Sequence, residues 1–561
     1  MMKQFILVAT FLLLVKSTNG QTPFITRDSL NINNINASVL LHGDMWWAPN
    51  LGIAECGFPS GSGKNIGFAS SLWMSGYDDG GTLHIAAQTY RQTGMDYWPG
   101  PMYPTDTLTY ATSSNWAKFW KVYRTDIQTF LAIGTHTTTN TPASILNWPG
   151  KGNTYATGAG GVSLTVSTAM APFVDLNANG IYEPLFGEYP DFNGDEAIWW
   201  VFSDNGPTHT ETGGRPLGIE VHVMSYGYKR NTLIDNVVYY DYTIINRSAN
   251  NYHNFRFTQW ADMDLGYYND DFIGFDTVHR MGIIYNGAVN DGAGVSTSNK
   301  YGTQIPIAGV TMISFPGDSG SSIVPAGSFT YYVNSSSSII GNPTVDTQYN
   351  NYMRAKVRNG EHLSNDYQGP GVPCAGYGLG PNVNYIYTGN PGILSGWTEC
   401  GCNNIPGDRR FIISSNDLTL PAGSVNKLTM ALVTTYPDSP NACPGASFDS
   451  LFIYTDTAWS VFFNPLPPIP MVVEQLGISG NIISVYPNPA VSTITVTGAG
   501  NICKDGFCTI INSMGKKYLV PASMMGLNTE INVENLPQGV YMLQTVDEKS
   551  AVYLKFFKEQ R

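Results

Sequence analysis

Alternation of apolar and polar positions is the clearest signal along this chain. Ile219, Val221 and Val223 alternate with their neighbours over 218–227, as do Val237, Tyr239, Asp241 and Thr243 over 233–247. A period of two sends successive side chains to opposite faces of a strand, so both stretches read as long strands. Residues 255–260, 281–285, 410–413 and 425–436 read as four more. Upstream, 68–76 and 83–87 alternate between aromatic-rich turns. Long antiparallel strands of this kind pack as a sandwich with one packed and one wet face. A helical spacing occurs at 447–463, where Leu451, Tyr454, Ala458, Val461 and Phe462 recur. Residues 116–131 fit a helix or a strand pair equally well. Residues 21–40 read as a loose polar lead-in, 134–170 as loop plus a Gly/Ser/Thr-rich strand, and 287–410 as long surface loops. The predicted class is all-β: a sandwich-type body with one short helix near its end.

Composition sharpens this picture. Only 13% of the 561 residues are charged, and glycine alone contributes 59. Few helix formers and many Tyr, Asn, Ser and Thr fit a β-rich extracellular protein. A net charge of −13 argues against a nucleic-acid partner, which would need basic patches. Lys3, an apolar run over 5–15 and the small-residue end Thr18-Asn19-Gly20 form a signal peptide, with the mature chain starting at Gln21. The run is too short to span a bilayer, and no longer one follows, so no transmembrane segment is expected. The chain has seven cysteines. Cys374, Cys400, Cys402 and Cys443 cluster, and export favours disulfides among them, with connectivity open. Cys400-Gly401-Cys402 lacks a second pair at zinc spacing. Cys56 is left over, and Cys503 and Cys508 could close a local bridge.

The candidate chemistry is oxygen-rich. Asp175-Leu-Asn177-Ala-Asn179-Gly180-Ile181 opens like a calcium loop, with side-chain oxygens at positions one, three and five and a carbonyl at Ile181. Position twelve is Phe186 and no helices flank the loop, so it is not an EF-hand. Glu183, Glu188, Asp191, Asn193 and Asp195 lie near enough to complete another cage; a metal-free Asx turn is the alternative. A second acidic run holds Asp262, Asp264, Asp270, Asp271 and Asp276, whose charges repel unless solvated, paired or metal-bound. Ca²⁺ is the expected cofactor. Paired carboxylates also occur in glycoside hydrolases, but spacing alone cannot tell an acid from a ligand. Gly317-Asp318-Ser319-Gly320 copies a serine-protease motif without its upstream histidine context. Gly61-Ser62-Gly63-Lys64 is followed by Asn65 where a phosphate loop needs Ser or Thr. Glu220 and His222 share a strand face, a structural arrangement. No stretch specifies a reaction, so no catalytic residue is assigned.

The chain's end is distinct. Pro487 and Pro489 forbid helix and mark a turn or edge at 486–489. Strand patterns follow at 493–496, 508–511, 529–533, 540–545 and 551–557, the text of a small antiparallel sandwich. Tyr486-Pro487-Asn488-Pro489-Ala490, then Asn535-Leu536-Pro537-Gln538-Gly539-Val540-Tyr541 and Lys555-Phe556-Phe557-Lys558, resemble the type A C-terminal sorting domain of the Bacteroidetes type IX secretion system. The resemblance implies that the type IX machinery is a partner, that the tail is removed on export, and that the cargo is released or attached at the outer-membrane surface. Groups such as Gly187-Glu188-Tyr189-Pro190 and Ile245-Asn246-Arg247-Ser248 resemble large uncharacterised surface proteins carrying this tail, which implies placement and no activity. The expected organisation is a signal peptide at 1–20, an N-terminal β-rich region at 21–170, a central body at 171–463, a Pro-rich linker at 464–480 and the sorting domain at 481–561. The body is expected to be structural or adhesive and calcium-stabilised, contacting surface polysaccharide or other surface proteins. The alternative is a carbohydrate-binding or glycan-hydrolysing body, since Trp and Tyr faces stack on sugars.

Overall fold

The computed structural model describes residues 25–90, 94–102, 108–206, 208–318, 323–392, 396–437, 443, 445–467, 484–497, 506–512, 517–525, 528–547 and 550–559. The expected signal peptide, Ser319 of the protease-like motif and Cys503 lie outside the described residues, as does the expected linker beyond residue 467. The chain divides into two compact units, residues 1–469 and 470–561.

The first unit is built on two large antiparallel sheets. Its principal strands are β1 (Asn36–Leu40), β2 (Ala69–Tyr77), β3 (Glu196–Ser203), β4 (Ile219–Gly227), β5 (Val237–Asn246) and β6 (Tyr252–Asp262). β7 (Asp271–Asp276), β8 (Met281–Asn286), β9 (Ile307–Ser314), β10 (Ser328–Val333), β11 (Arg409–Ser414) and β12 (Val425–Thr435) follow. The first sheet runs β10-β11-β6-β2, continues through Asp44–Met45 to β1, and ends on two short strands. The second runs from Trp98–Pro99 through β3-β4-β5-β12-β9-β8-β7.

The two sheets enclose one core. Leu72, Met74, Phe257, Ala261, Phe411 and Ile413 come from the first sheet, and Trp200, Val221, Val223, Tyr240, Tyr242 and Leu432 from the second. The expectation of one wet face does not hold. Every residue of β3 and β4 is buried. The outer face of the second sheet, with Trp199, Tyr226, Tyr239 and Val433, is covered by α2 (Asp449–Phe463) and by segments from 116–192. The outer face of the first carries Trp73, Trp260, Tyr332 and Ile412 against α1 (Asp346–Tyr352). Trp73 and Trp260 stack with ring centroids 5.9 Å apart, and a buried side chain of that size contributes about 3 kcal/mol or more. Along β5, Val238, Tyr240, Tyr242 and Ile244 enter the core between the sheets and Val237 and Tyr239 the outer core, while Asp241 and Thr243 are half-buried, so much of its alternation distinguishes two cores.

This layering explains other departures from the sequence reading. Arg27–Leu30 and Asn36–Leu40 are paired strands, not a loose lead-in. Residues 287–410 contain β9, β10 and α1, whose apolar runs are short and broken by Gly and Ser. Residues 116–131 hold both alternatives, a strand Trp120–Tyr123 and a helix Arg124–Leu131. The stretch 134–170 has a short helix Ala143–Leu146 and no named strand. The two regions parted at residue 170 share both sheets, since β1 and β2 join β6, and Trp120–Tyr123 pairs with β3.

The second unit is a seven-stranded antiparallel sandwich. In sequence, β13 (Ser484–Tyr486), β14 (Thr493–Thr497), β15 (Phe507–Asn512), β16 (Lys517–Met525), β17 (Asn528–Asn532), β18 (Gly539–Asp547) and β19 (Ser550–Lys558) pair in the order β13-β14-β17-β16-β15-β18-β19. β16, absent from the sequence reading, pairs β15 through its first half and β17 through its second, so one strand serves both sides. Ala490, Ile494, Val496, Ile510, Ile531, Leu536 and Phe556 fill the core.

Candidate functional site

The Asp175 loop follows the short strand Phe173–Val174, which pairs with Tyr189–Pro190. Asp175 Oδ1 accepts the Asn179 amide at 3.2 Å and Oδ2 the Gly180 amide at 2.7 Å. Asn177 and Asn179 side-chain amides donate to Glu183 Oε2 at 3.0 and 2.7 Å. Buried Glu188 accepts the Leu176 and Glu183 amides at 3.1 and 2.7 Å. Gly180 holds φ at 72°, a conformation that suits glycine in so tight a turn. The carboxylates thus bind the loop's own N–H groups. Each such oxygen has two lone-pair directions, so the set also fits a hard cation. Ile181 is exposed, and its N–H donates to Asn179 Oδ1 at 2.7 Å.

The structure separates other candidates from this loop. Asp195 pairs with Arg230 and accepts the Lys229 amide at 2.8 Å. It therefore does not complete the cage. Asp191 is exposed, and its backbone N–H bonds Pro172 O at 3.1 Å.

The second acidic run also divides. Asp276 accepts His279 Nδ1 at 2.6 Å. Burial would raise its pKa, but the His279 hydrogen bonds hold it below the usual range. It lies at the far end of β7 from Asp271 and pairs locally. Asp270 accepts the Gly292 amide at 2.9 Å, and burial pushes its carboxyl up to about 6. Asp271 accepts the Leu265 amide at 3.0 Å, and burial pushes its carboxyl well up. Each of these two aspartates keeps one buried oxygen without a partner.

Asp262 and Asp264 meet a residue that the sequence reading did not single out. Single oxygens of Asp262, Asp264 and Asp408 all lie within 4.8 Å of one another. Arg410 Nη2 reaches Asp262 Oδ2 at 3.0 Å, and its Nη1 bonds Asp408. β6 and β11 are hydrogen-bonded neighbours with Asp262 opposite Arg410, which brings together residues nearly 150 positions apart. Burial raises the Asp262 carboxyl despite the Arg410 guanidinium; burial, then the Asp262 and Asp408 charges, raises that of Asp264. The three carboxylates line a pocket of about 1370 Å³, together with Phe68, Tyr90, Tyr268 and Asn334. The only signal in sequence was an acid two residues before an arginine at a strand start, a common structural pair.

The remaining lures resolve structurally. Asp318 pairs with buried Arg280 at 2.9 Å, and Lys64 lies over the Tyr301 ring at 5.3 Å. Cys374–Cys402 and Cys400–Cys443 are disulfides, Cys508 is disulfide-bonded, and Cys56 is free and buried.

Residues 484–559 match the family model of the secretion system C-terminal sorting domain. The tail is such a domain of the type IX secretion system, and it marks the protein as secreted or cell-surface. No helix among the described residues is long and apolar enough to cross a membrane. No curated protein matches the chain. Among solved structures, a polysaccharide lyase aligns at 6% identity and a TM-score of 0.17, over 60% of this chain and 34% of its own. The aligned part is about a third of that enzyme, and a likeness at this level transfers neither fold nor activity.

Proposed function

We propose that the protein is a type IX cargo whose body acts at the cell surface as a calcium-stabilised structural or adhesive module, after loss of its signal peptide and sorting tail. The observation behind this reading is a sorting domain joined to a body of two large sheets covered on their outer faces. Such layering favours a stiff scaffold. Calcium is assigned to the Asp175 loop, where Asp175, Asn177, Asn179 and Glu183 offer only oxygen ligands, the chemistry of a hard cation. Extracellular modules of this kind bind calcium at about 10⁻⁴–10⁻³ M, so occupancy would follow the calcium level outside the cell. The test is surface attachment of the cargo, and adhesion of cells with and without the gene, in calcium or chelator. Equal adhesion by both strains would refute the adhesive reading.

A second reading rests on the pocket. Phe68, Tyr90 and Tyr268 beside carboxylates and Asn334 are the mixed apolar and polar lining that a saccharide needs. A glycan array on the purified protein discriminates: saturable binding lost in Tyr90→Ala supports glycan recognition, and a blank array removes it.

A further inference from the structure

We propose that Asp262, Asp264 and Asp408 hold a divalent cation of the calcium type in the wall of the broad pocket. This site is separate from the Asp175 loop, and its residues come from two strand ends that only the folded sheet brings together.

The argument begins with spacing. Ligand oxygens about 2.4 Å from a calcium ion lie at most about 4.8 Å apart. The three carboxylates meet that limit, each contributing one oxygen within 4.8 Å of the others. The second observation concerns satisfaction. Asp262 is 1% exposed, and its Oδ1 has no hydrogen-bond partner, while Oδ2 is taken by Arg410. Asp264 Oδ1 is likewise buried without a partner. A desolvated carboxylate oxygen without a donor is costly and calls for a cation or a proton.

Charge balance favours the cation. Arg410 bonds Asp262 and Asp408. Three carboxylates against one guanidinium leave two negative charges in excess, the charge of one divalent ion. Arg410 then serves as an orienting neighbour, fixing two of the ligands from behind. The all-oxygen set selects a hard cation over zinc or copper. Calcium takes six to eight ligands. Because all three residues line the pocket, the positions they leave are filled by water or by oxygens of a molecule entering it.

The competing possibility is a proton on Asp264, and the test separates the two. The full chain, stripped with chelator, is titrated with Tb³⁺, read by emission sensitised through nearby aromatics such as Tyr90, whose ring lies 5.8 Å from the Arg410 guanidinium. Calcium is the competitor, and bound calcium is counted by equilibrium dialysis. Expected is saturable emission displaced by calcium. Asp264→Asn and Asp408→Asn should each weaken this binding about tenfold or more, with one fewer calcium per chain. Asp175→Ala should leave the pocket emission intact, so failure of the loop assignment and of this one are distinguishable. Asp264→Asn mimics the protonated acid. If Asp264→Asn and Asp408→Asn bind ions as wild type does, or no emission appears, the proposal is overturned.

Discussion

His222 Nε2 lies 2.8 Å from Glu220 Oε1, both on one face of β4 and both nearly inaccessible to solvent. Arg247 Nη2 reaches the same oxygen at 2.8 Å, and the Met102 amide donates to Oε2 at 2.8 Å. The carboxylate is therefore saturated by donors, which makes the pair a structural tie.

This tie has a pH signature. Burial alone would raise the Glu220 pKa, but hydrogen bonds from His222 and Arg247 and the guanidinium charge bring it down to about 2. A depressed carboxylate contributes stability that is present above its unfolded pKa of about 4.5 and is lost as pH falls towards 2. A shift of that size corresponds to about 3 kcal/mol. Glu220→Gln should cost that order at pH 7, with the gap to wild type closing as denaturation is repeated from pH 5 down to 2. A constant gap across that window would show that the loss comes from packing instead.

Calcium should stabilise the body through the Asp175 loop. At a hundredfold excess over Kd, one bound ion adds about 2.7 kcal/mol. Thermal unfolding in calcium should exceed that in chelator for wild type and for Asn177→Asp, which retains an oxygen at that position. In Asp175→Ala most of this loop's share should vanish, leaving any calcium effect from the pocket. An identical calcium response in wild type and Asp175→Ala would reduce the loop to a turn.

Sequence pattern located the long strands and α2 because each has enough residues for its period to show. β5 is legible even though most of both its faces is buried, since Val238, Tyr240 and Tyr242 of one core alternate with Val237 and Tyr239 of the other. β9 and β10 were hidden because glycine- and serine-rich flanks mimic loops. In the candidate site, Asp262 and Asp264 stood out as a local acidic run, whereas Asp408 did not. Its place beside them depends on β6 pairing with β11, a contact between residues far apart in sequence that no local spacing encodes. Asp195 and Asp276 lie near the metal candidates in sequence, but in the fold Arg230 and His279 pair with them.

The cysteine cluster supplies a redox prediction. Cys374–Cys402 and Cys400–Cys443 close segments of 28 and 43 residues, and loops of those lengths gain about 3–4 kcal/mol each in the chain-entropy account. They flank Glu399, which pairs with Arg409 at 3.0 Å, so reduction should loosen that buried pair. The double variant Cys400→Ala/Cys443→Ala should unfold at lower denaturant than wild type, and peptide mapping of the exported protein should recover both bridged pairs. Recovery of these four cysteines as free thiols would refute the assignment.

The sorting tail gives the last prediction. Its two signature ends form one structural element. Ala490 is fully buried, its N–H donates to Phe557 O at 2.8 Å, and its carbonyl accepts the Glu559 amide at 2.8 Å. Asn488 Oδ1 accepts the Phe557 amide at 2.8 Å. The Tyr-Pro-Asn-Pro-Ala segment is thus bonded along the final strand, and neither end can be lost without freeing the other. Ala490→Asp would bury a carboxylate in the apolar cluster of Ile494, Leu536 and Phe556, at a cost of several kcal/mol. That exceeds what a domain of this size can absorb. Val491 next to it is 37% exposed, so Val491→Asp is the matched control. Deleting residues 470–561 should leave the body folded, since it is a separate compact unit, and hold it in the periplasm. Ala490→Asp should reproduce that retention, while Val491→Asp should reach the surface at close to wild-type levels. The readout is fractionation with an antibody to the body. Surface display of the tail-less chain at normal levels would end the sorting assignment, and normal export of Ala490→Asp would show that the secretion machinery reads the motif without the fold that joins its ends.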